Sequence, residues 1–241
     1  MAQGTGRRQY PDRAEHGDAV LGSRQAALPR TNARPSSHSV THPGFTAEQA
    51  LSRLRRGNQR FLSGKARFPT VQKDVLANLA RGQQPYATVL GCSDSRVPPE
   101  LLFDAGFGEL FVIRVAGNVL GPMIAGTLQY ANLHLHTPLF VVMGHDGCGA
   151  VQAAVASKLH GVVQRSRIQA LLENILPALD GIDGSLPPDE LLRVAVTANV
   201  RWTMKALRES PEGGARLATG AIRLVGAVYE LGTGRVKFLE G

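Results

Sequence analysis

Three short apolar runs constrain the fold more than any other feature of this chain: Ala87-Thr-Val-Leu-Gly91, Leu110-Phe-Val-Ile-Arg-Val115 and Leu139-Phe-Val-Val-Met143. Each is rich in β-branched or bulky apolar residues and is closed by glycine or a turn. A strand with one wet face alternates apolar and polar residues, whereas these runs are apolar almost throughout. That pattern predicts strands buried on both faces, as in a parallel sheet. Segments of helical character lie between and after them, at 98–103, 122–135 and 148–160. Strand alternating with helix predicts an α/β fold: a mainly parallel central β-sheet flanked by helices, with right-handed crossovers. Further helices are expected near 165–178 and 189–209. At the carboxyl end, 222–230 and 235–239 flank Leu231-Gly-Thr-Gly234 and read as a β-hairpin.

Upstream of the first run, Leu51, Leu54, Phe61 and Leu62 fall on one stripe of a helix that begins after Thr46. Thr46 is the expected N-cap, with Gln49 completing a capping box. A second helix is expected over 71–81, stopping at Gly82. Residues 1–43 differ from all this. They carry six arginines against Asp12, Glu15 and Asp18, with scattered apolar residues that follow no period. Such a segment cannot bury enough surface to offset the entropy of ordering it, so a disordered basic tail is expected. Arg7-Arg8 has the form of a twin-arginine export signal, but no apolar stretch of roughly 7–15 residues follows it. The reading is therefore a tail over 1–43 and one α/β domain over 44–241.

Composition excludes several functions. With 43% hydrophobic residues, the chain has enough apolar material for a core. No stretch approaches the roughly 18 apolar residues of a membrane span. The net charge of +8 raises nucleic acid as a partner. Outside the tail, however, basic residues show no aromatic interleaving and no Arg-Gly repeat, so no nucleic-acid partner is expected. The two cysteines, Cys92 and Cys148, are too few for a disulfide framework and fit a reduced, cytoplasmic protein.

Ligands in α/β sheets bind at the carboxyl ends of strands. Two such ends carry chemistry: Gly91-Cys92-Ser-Asp94-Ser-Arg96 after the first run, and Gly144-His145-Asp-Gly-Cys148 after the third. If those strands are neighbours, Cys92, His145 and Cys148 meet as two thiolates and an imidazole, a set suited to zinc. Three protein ligands leave the fourth position of a tetrahedral zinc open, as in catalytic sites. Two thiolates cancel the metal charge, so a nearby carboxylate must help to orient and deprotonate the water. Asp94 suits that role if Arg96 holds it ionised and off the metal through a paired guanidinium–carboxylate contact. Asp146 reads as a turn or helix N-cap residue, and His134 and His136 as structural residues near a helix end.

Cys-x-Asp-Ser-Arg followed 53 positions later by His-x-x-Cys-Gly resembles the β-class carbonic anhydrases. The likeness covers roughly 46–241. It implies one zinc per subunit, held by Cys92, His145 and Cys148, and a catalytic dyad of Asp94 and Arg96. In a second form of the family the aspartate leaves the arginine and becomes the fourth zinc ligand; both residues are present here, so both forms stay open. The resemblance also implies that Gln83 helps to bind substrate and that Phe111, Ala116 and Tyr130 line its pocket. Members regulated by a non-catalytic bicarbonate site have a tryptophan where this chain has Val89, which argues against such regulation. The implied reaction is hydration of CO2 to bicarbonate, in a homodimer or tetramer whose N-terminal helices embrace a partner subunit. Hydrolysis of carbonyl sulfide or carbon disulfide on the same scaffold is the nearest alternative. A non-catalytic zinc module with a nucleic-acid-binding tail is a more distant one.

Overall fold

Five strands form one sheet in the order β2-β1-β3-β4-β5. They are β1 (Ala87–Gly91), β2 (Leu110–Arg114), β3 (Leu139–His145), β4 (Arg223–Tyr229) and β5 (Val236–Leu239). The first four are mutually parallel, and β4 and β5 form the antiparallel hairpin expected at the carboxyl end. The computed structural model describes residues 44–67, 76–77 and 79–239. The tail expected over 1–43 lies outside the described residues, as does most of the helix expected over 71–81; of that helix, Leu76, Ala77 and Leu79 are helical.

β1 and β3 are buried along their whole length, as their unbroken apolarity requires. β2 departs from that expectation and is only half-buried, because it is an edge strand with a neighbour on one side. The helices are α1 (Ala47–Leu62), α2 (Pro99–Leu102), α3 (Pro122–Leu135), α4 (Gly149–His160), α5 (Ser166–Leu172), α6 (Pro188–Glu209) and α7 (Pro211–Ala218). The single helix expected over 165–178 is instead α5 and a separate 3-10 turn, Leu176–Leu179. Pro177 explains the break: it lacks an amide and disfavours helical backbone at the residue before it. α7 was not anticipated, although Ser210-Pro211 marks its start, with the Ser210 hydroxyl accepting from the Gly213 amide at 3.1 Å.

α1 begins with the expected capping box. The Thr46 hydroxyl accepts from the Gln49 amide at 3.2 Å, and the Gln49 side-chain oxygen accepts from the Thr46 amide at 2.8 Å. Leu51 and Leu54 are buried as predicted, but the next turn buries Gly57 and Asn58 rather than a large apolar residue. The reason is close approach: a Cβ on Gly57 would lie 1.8 Å from the Phe103 carbonyl oxygen. Asn58 uses that proximity. Its Nδ2 donates to the carbonyls of Leu102 (3.1 Å) and Gly234 (3.0 Å), and its Oδ1 accepts from the Val236 amide (2.9 Å). One side chain thus joins α1, the end of α2 and the hairpin.

Asp104, 1% exposed at its side chain, is the anion of this corner. It accepts from the Arg60 guanidinium, and from the Arg67 Nε at 3.0 Å and amide at 2.7 Å. Burial opposes its charge, but the two arginines outweigh it and hold the carboxyl below its ordinary value. A depressed carboxyl pKa stabilises the fold above roughly pH 4 and loses that contribution as pH falls through the folded-state value. Asp104→Asn, which tolerates the same positive φ, should cost about 2 kcal/mol at pH 7. Melting curves of both proteins at pH 7 and pH 2.5 check this: the gap should narrow in acid, and a gap that stays constant would contradict the assignment.

Candidate metal centre and active site

The strand order places a topological switch between β1 and β3, because the chain leaves β1 for β2 on one side and then crosses to β3 on the other. The crevice outside the carboxyl ends of those two strands is where α/β folds bind ligands. Gly91 pairs with Met143 in the register, so Cys92 and His145 emerge side by side at that crevice. Cys148 follows at the N-cap of α4. The N-cap position belongs to Cys148; Asp146 takes the other of its two expected roles and sits in the turn before it, where its amide extends the β3–β4 pairing by donating to the Tyr229 carbonyl.

The Cys92, His145 and Cys148 side chains are buried, with all their ligand atoms within 4.8 Å of one another. The sulfurs are 4.0 Å apart and unbridged. Two thiolates on one tetrahedral zinc would lie about 3.8 Å apart, given Zn–S bonds near 2.3 Å. The imidazole is prepared in the same sense. His145 Nδ1 lies 2.8 Å from the Asp146 carbonyl, which can only accept, so Nδ1 carries the proton. Nε2 is left buried with no hydrogen-bond partner, an orphaned lone pair facing two thiols. The donor set therefore fits zinc.

One of the two thiols, Cys92, is also primed for ionisation. Cys92 is pulled well below an ordinary thiol, first by the hydrogen bond from Cys148, then by His145 and the amides of Asp94 and Gly117. Cys148 is pushed up in turn by its bond to Cys92 and by burial, although the Ala150 and Val151 amides of α4 favour its thiolate. Burial works against a charged His145, but the Cys92 contact and the Asp146 carbonyl raise its pKa overall.

Asp94 and Arg96 meet as the sequence predicted. Arg96 Nε donates to Oδ1 at 2.9 Å and Nη2 to Oδ2 at 2.7 Å, and the Arg96 amide adds a third bond to Oδ1 at 2.9 Å. These bonds, chiefly the guanidinium's, hold the carboxyl far below the usual carboxylate range. Oδ2 stands 3.9 Å from His145 Nε2, beside the ligand cluster and in the grip of Arg96. The carboxylate is therefore paired with Arg96 in this structure.

The remaining sequence-derived residues are less tightly gathered. Ala116 opens the 3-10 turn Ala116–Asn118, next to the Gly117 amide that supports Cys92. Gly117 has φ +69°, and a Cβ there would sit 2.8 Å from Ile175, so only glycine fits the turn. Phe111 and Tyr130 pack together with ring centroids 6.2 Å apart, and the His134 ring lies tilted against Tyr130 at 4.7 Å. Tyr130 is 48% exposed, and Gln83 is exposed as well. An apolar cavity of about 450 Å³ lies elsewhere, between α3, α7 and the amino ends of β3 and β4, and includes none of these residues.

Sequence reasoning missed two residues that shape the site. Arg114, the last residue of β2, donates from Nε to the Cys92 carbonyl at 2.9 Å and from Nη2 to the Asp94 carbonyl. Asn199, buried on α6, donates to the Gly117 carbonyl at 2.8 Å. A cation closing an apolar strand was visible in the sequence; a polar residue on a mostly buried helix face gave no comparable signal.

Comparison with known proteins agrees with this geometry. A family model described as carbonic anhydrase matches residues 87–236, from the start of β1 to the start of β5. Carbonic anhydrase 2 of Mycobacterium tuberculosis is 37% identical over 195 residues, spanning 80% of this chain and 93% of that protein. Carbonic anhydrase of Mycolicibacterium smegmatis is 36% identical over 197 residues, spanning 81% and 94%. A tetrameric β-carbonic anhydrase of the ascomycete Sordaria macrospora superposes with a TM-score of 0.64 at 25% identity, covering 80% of this chain and 96% of that one. With the cysteines, the histidine and the aspartate–arginine pair at the switch point of the matching fold, the chain belongs to the β-class carbonic anhydrases.

Proposed function

We propose that the protein catalyses the reversible hydration of CO2 to bicarbonate and a proton, with one zinc per subunit held by Cys92, His145 and Cys148. The observation that carries this reading is the Asp94 carboxylate, gripped by Arg96 and 3.9 Å from the unpartnered His145 Nε2. Zinc held there by Cys92, His145 and Cys148 would lower the pKa of water and so supply the nucleophile. Asp94, ionised across the working pH range, accepts a hydrogen bond from the attacking water and so aims its lone pair at the substrate carbon. Arg96 restrains Asp94 from joining the metal as a fourth ligand. Phe111, Ala116 and Tyr130 line an apolar approach suited to a substrate without a dipole, and Gln83 bonds a substrate oxygen. The exposure of Gln83 and Tyr130 supports a pocket completed by a second copy of the chain, in a homodimer or tetramer. Among the described residues no helix is long and apolar enough to cross a membrane. The proposed site of action is the cytoplasm.

Stopped-flow CO2 hydration by the zinc-loaded protein at pH 7 and 8.5 tests the reaction. Fast turnover at both values is expected; turnover confined to pH 8.5 reads as a resting form with Asp94 on the metal. Full zinc with no turnover at either pH would sink the proposal, and carbonyl sulfide and carbon disulfide would be assayed next. Cys148→Ser should lower bound zinc at least tenfold after dialysis, because hydroxyl is a far poorer zinc ligand than thiolate. Metal analysis by atomic absorption checks it.

A further inference from the structure

We propose that Arg114 is a positioning residue for the metal loop: it clamps the backbone from Cys92 to Asp94, so that the ligand sulfur and the catalytic carboxylate are held by one rigid unit. The inference rests on the zinc site and reaction proposed above. Arg114 stands opposite Gly91 in the β1–β2 register, one residue before the loop begins. Its guanidinium reaches across to that loop and donates to the carbonyls of Cys92 and Asp94, on either side of Ser93. A planar fork bound to two carbonyls fixes the orientation of both peptides, which a single donor would leave free to rotate.

The consequence converges on Asp94. Its amide supports the Cys92 sulfur. Its carbonyl accepts from Arg114 and from the Val97 amide, the latter at 3.1 Å. Its carboxylate is held by Arg96. Rotating the flanking peptides would disturb the hydrogen bond to the ligand sulfur and the aim of the carboxylate together. Among the described residues Arg114 pairs with no carboxylate within salt-bridge distance. β2 needs no cation to pair with β1, since that pairing is made by backbone. The use the structure shows for the guanidinium is the loop.

Arg114→Met keeps the aliphatic stem and removes both donors; Arg114→Lys restores one cationic donor group. In zinc-loaded Arg114→Met, kcat should fall roughly tenfold to a hundredfold while KM stays within about twofold. Competition with a chelator should show zinc affinity about tenfold weaker. In the cobalt-substituted protein, the near-ultraviolet sulfur-to-cobalt charge-transfer band should shift, and Arg114→Lys should recover part of each change. A wild-type cobalt spectrum, zinc affinity and kcat in Arg114→Met would overturn the inference. So would a loss of activity that follows only the folded fraction, with an unshifted band in the molecules that fold; should Arg114→Met not fold, the same readouts on Arg114→Lys decide. If the unsubstituted protein fails to hydrate CO2, the proposed reaction falls, while the cobalt band and zinc competition still report on Arg114.

Discussion

Asp94→Ala is expected to keep one zinc per chain and to lose a hundredfold or more in kcat, within the range typical of removing a positioned proton acceptor. Zinc should stay because the proposed ligand atoms, Cys92 Sγ, His145 Nε2 and Cys148 Sγ, do not depend on the carboxylate. Turnover should fall because Asp94 is the proposed acceptor beside this cluster, and its bonds to Arg96 lower its pKa and favour the charged form. Asp94→Asn separates charge from shape: it retains the side-chain volume and one oxygen but cannot act as an anion, so it should be nearly as damaged. Arg96→Gln should lose less, since it frees the carboxylate without removing it. Metal content by atomic absorption and kcat by stopped flow measure all three. Asp94→Ala with more than a tenth of the parent kcat would mean that Asp94 does not orient the attacking water.

Asn58→Leu is expected to produce the largest loss of stability at a distance from the metal, about 4 kcal/mol. Leucine nearly matches the volume, but the carbonyls of Leu102 and Gly234 and the amide of Val236 would lose their partner in a buried corner. Each unsatisfied buried group costs roughly 1–3 kcal/mol, with part of it recovered by relaxation. For a domain near 200 residues, that corresponds to a melting temperature lower by about 10 °C. A zinc-loaded variant melting within about 3 °C of the parent would show that these three groups find other partners. Asn58→Asp is a sharper companion, since a carboxylate can accept from Val236 but cannot donate to the two carbonyls.

Much of the site is legible in the sequence. Cys92, Asp94, Arg96, His145 and Cys148 occupy two short motifs, each at the end of an apolar run, so local pattern placed them on loops leaving buried strands. The separation of those motifs was readable but their meeting was not: it requires β1 and β3 to be neighbours although β2 lies between them in sequence. Gln83 and Tyr130 were singled out through resemblance, and in the single chain both face outward. Arg114 and Asn199 escaped notice because their partners are backbone carbonyls, and a carbonyl leaves no trace in a sequence.

The sequence by itself determined the α/β class, the strand runs, the capping box at Thr46 and the chemical identity of the ligand set. These are local properties, fixed by periodicity, by cap and turn chemistry and by residue type within a few positions. Tertiary structure alone decided the strand order and the half-burial of β2. It also decided which long-range hydrogen bonds hold the metal loop. Those depend on pairings between residues 20 to nearly 180 positions apart, such as Arg114 with Cys92 or Asn58 with Val236. Such pairings are chosen by how the helices and the sheet pack together, and no local pattern encodes that choice.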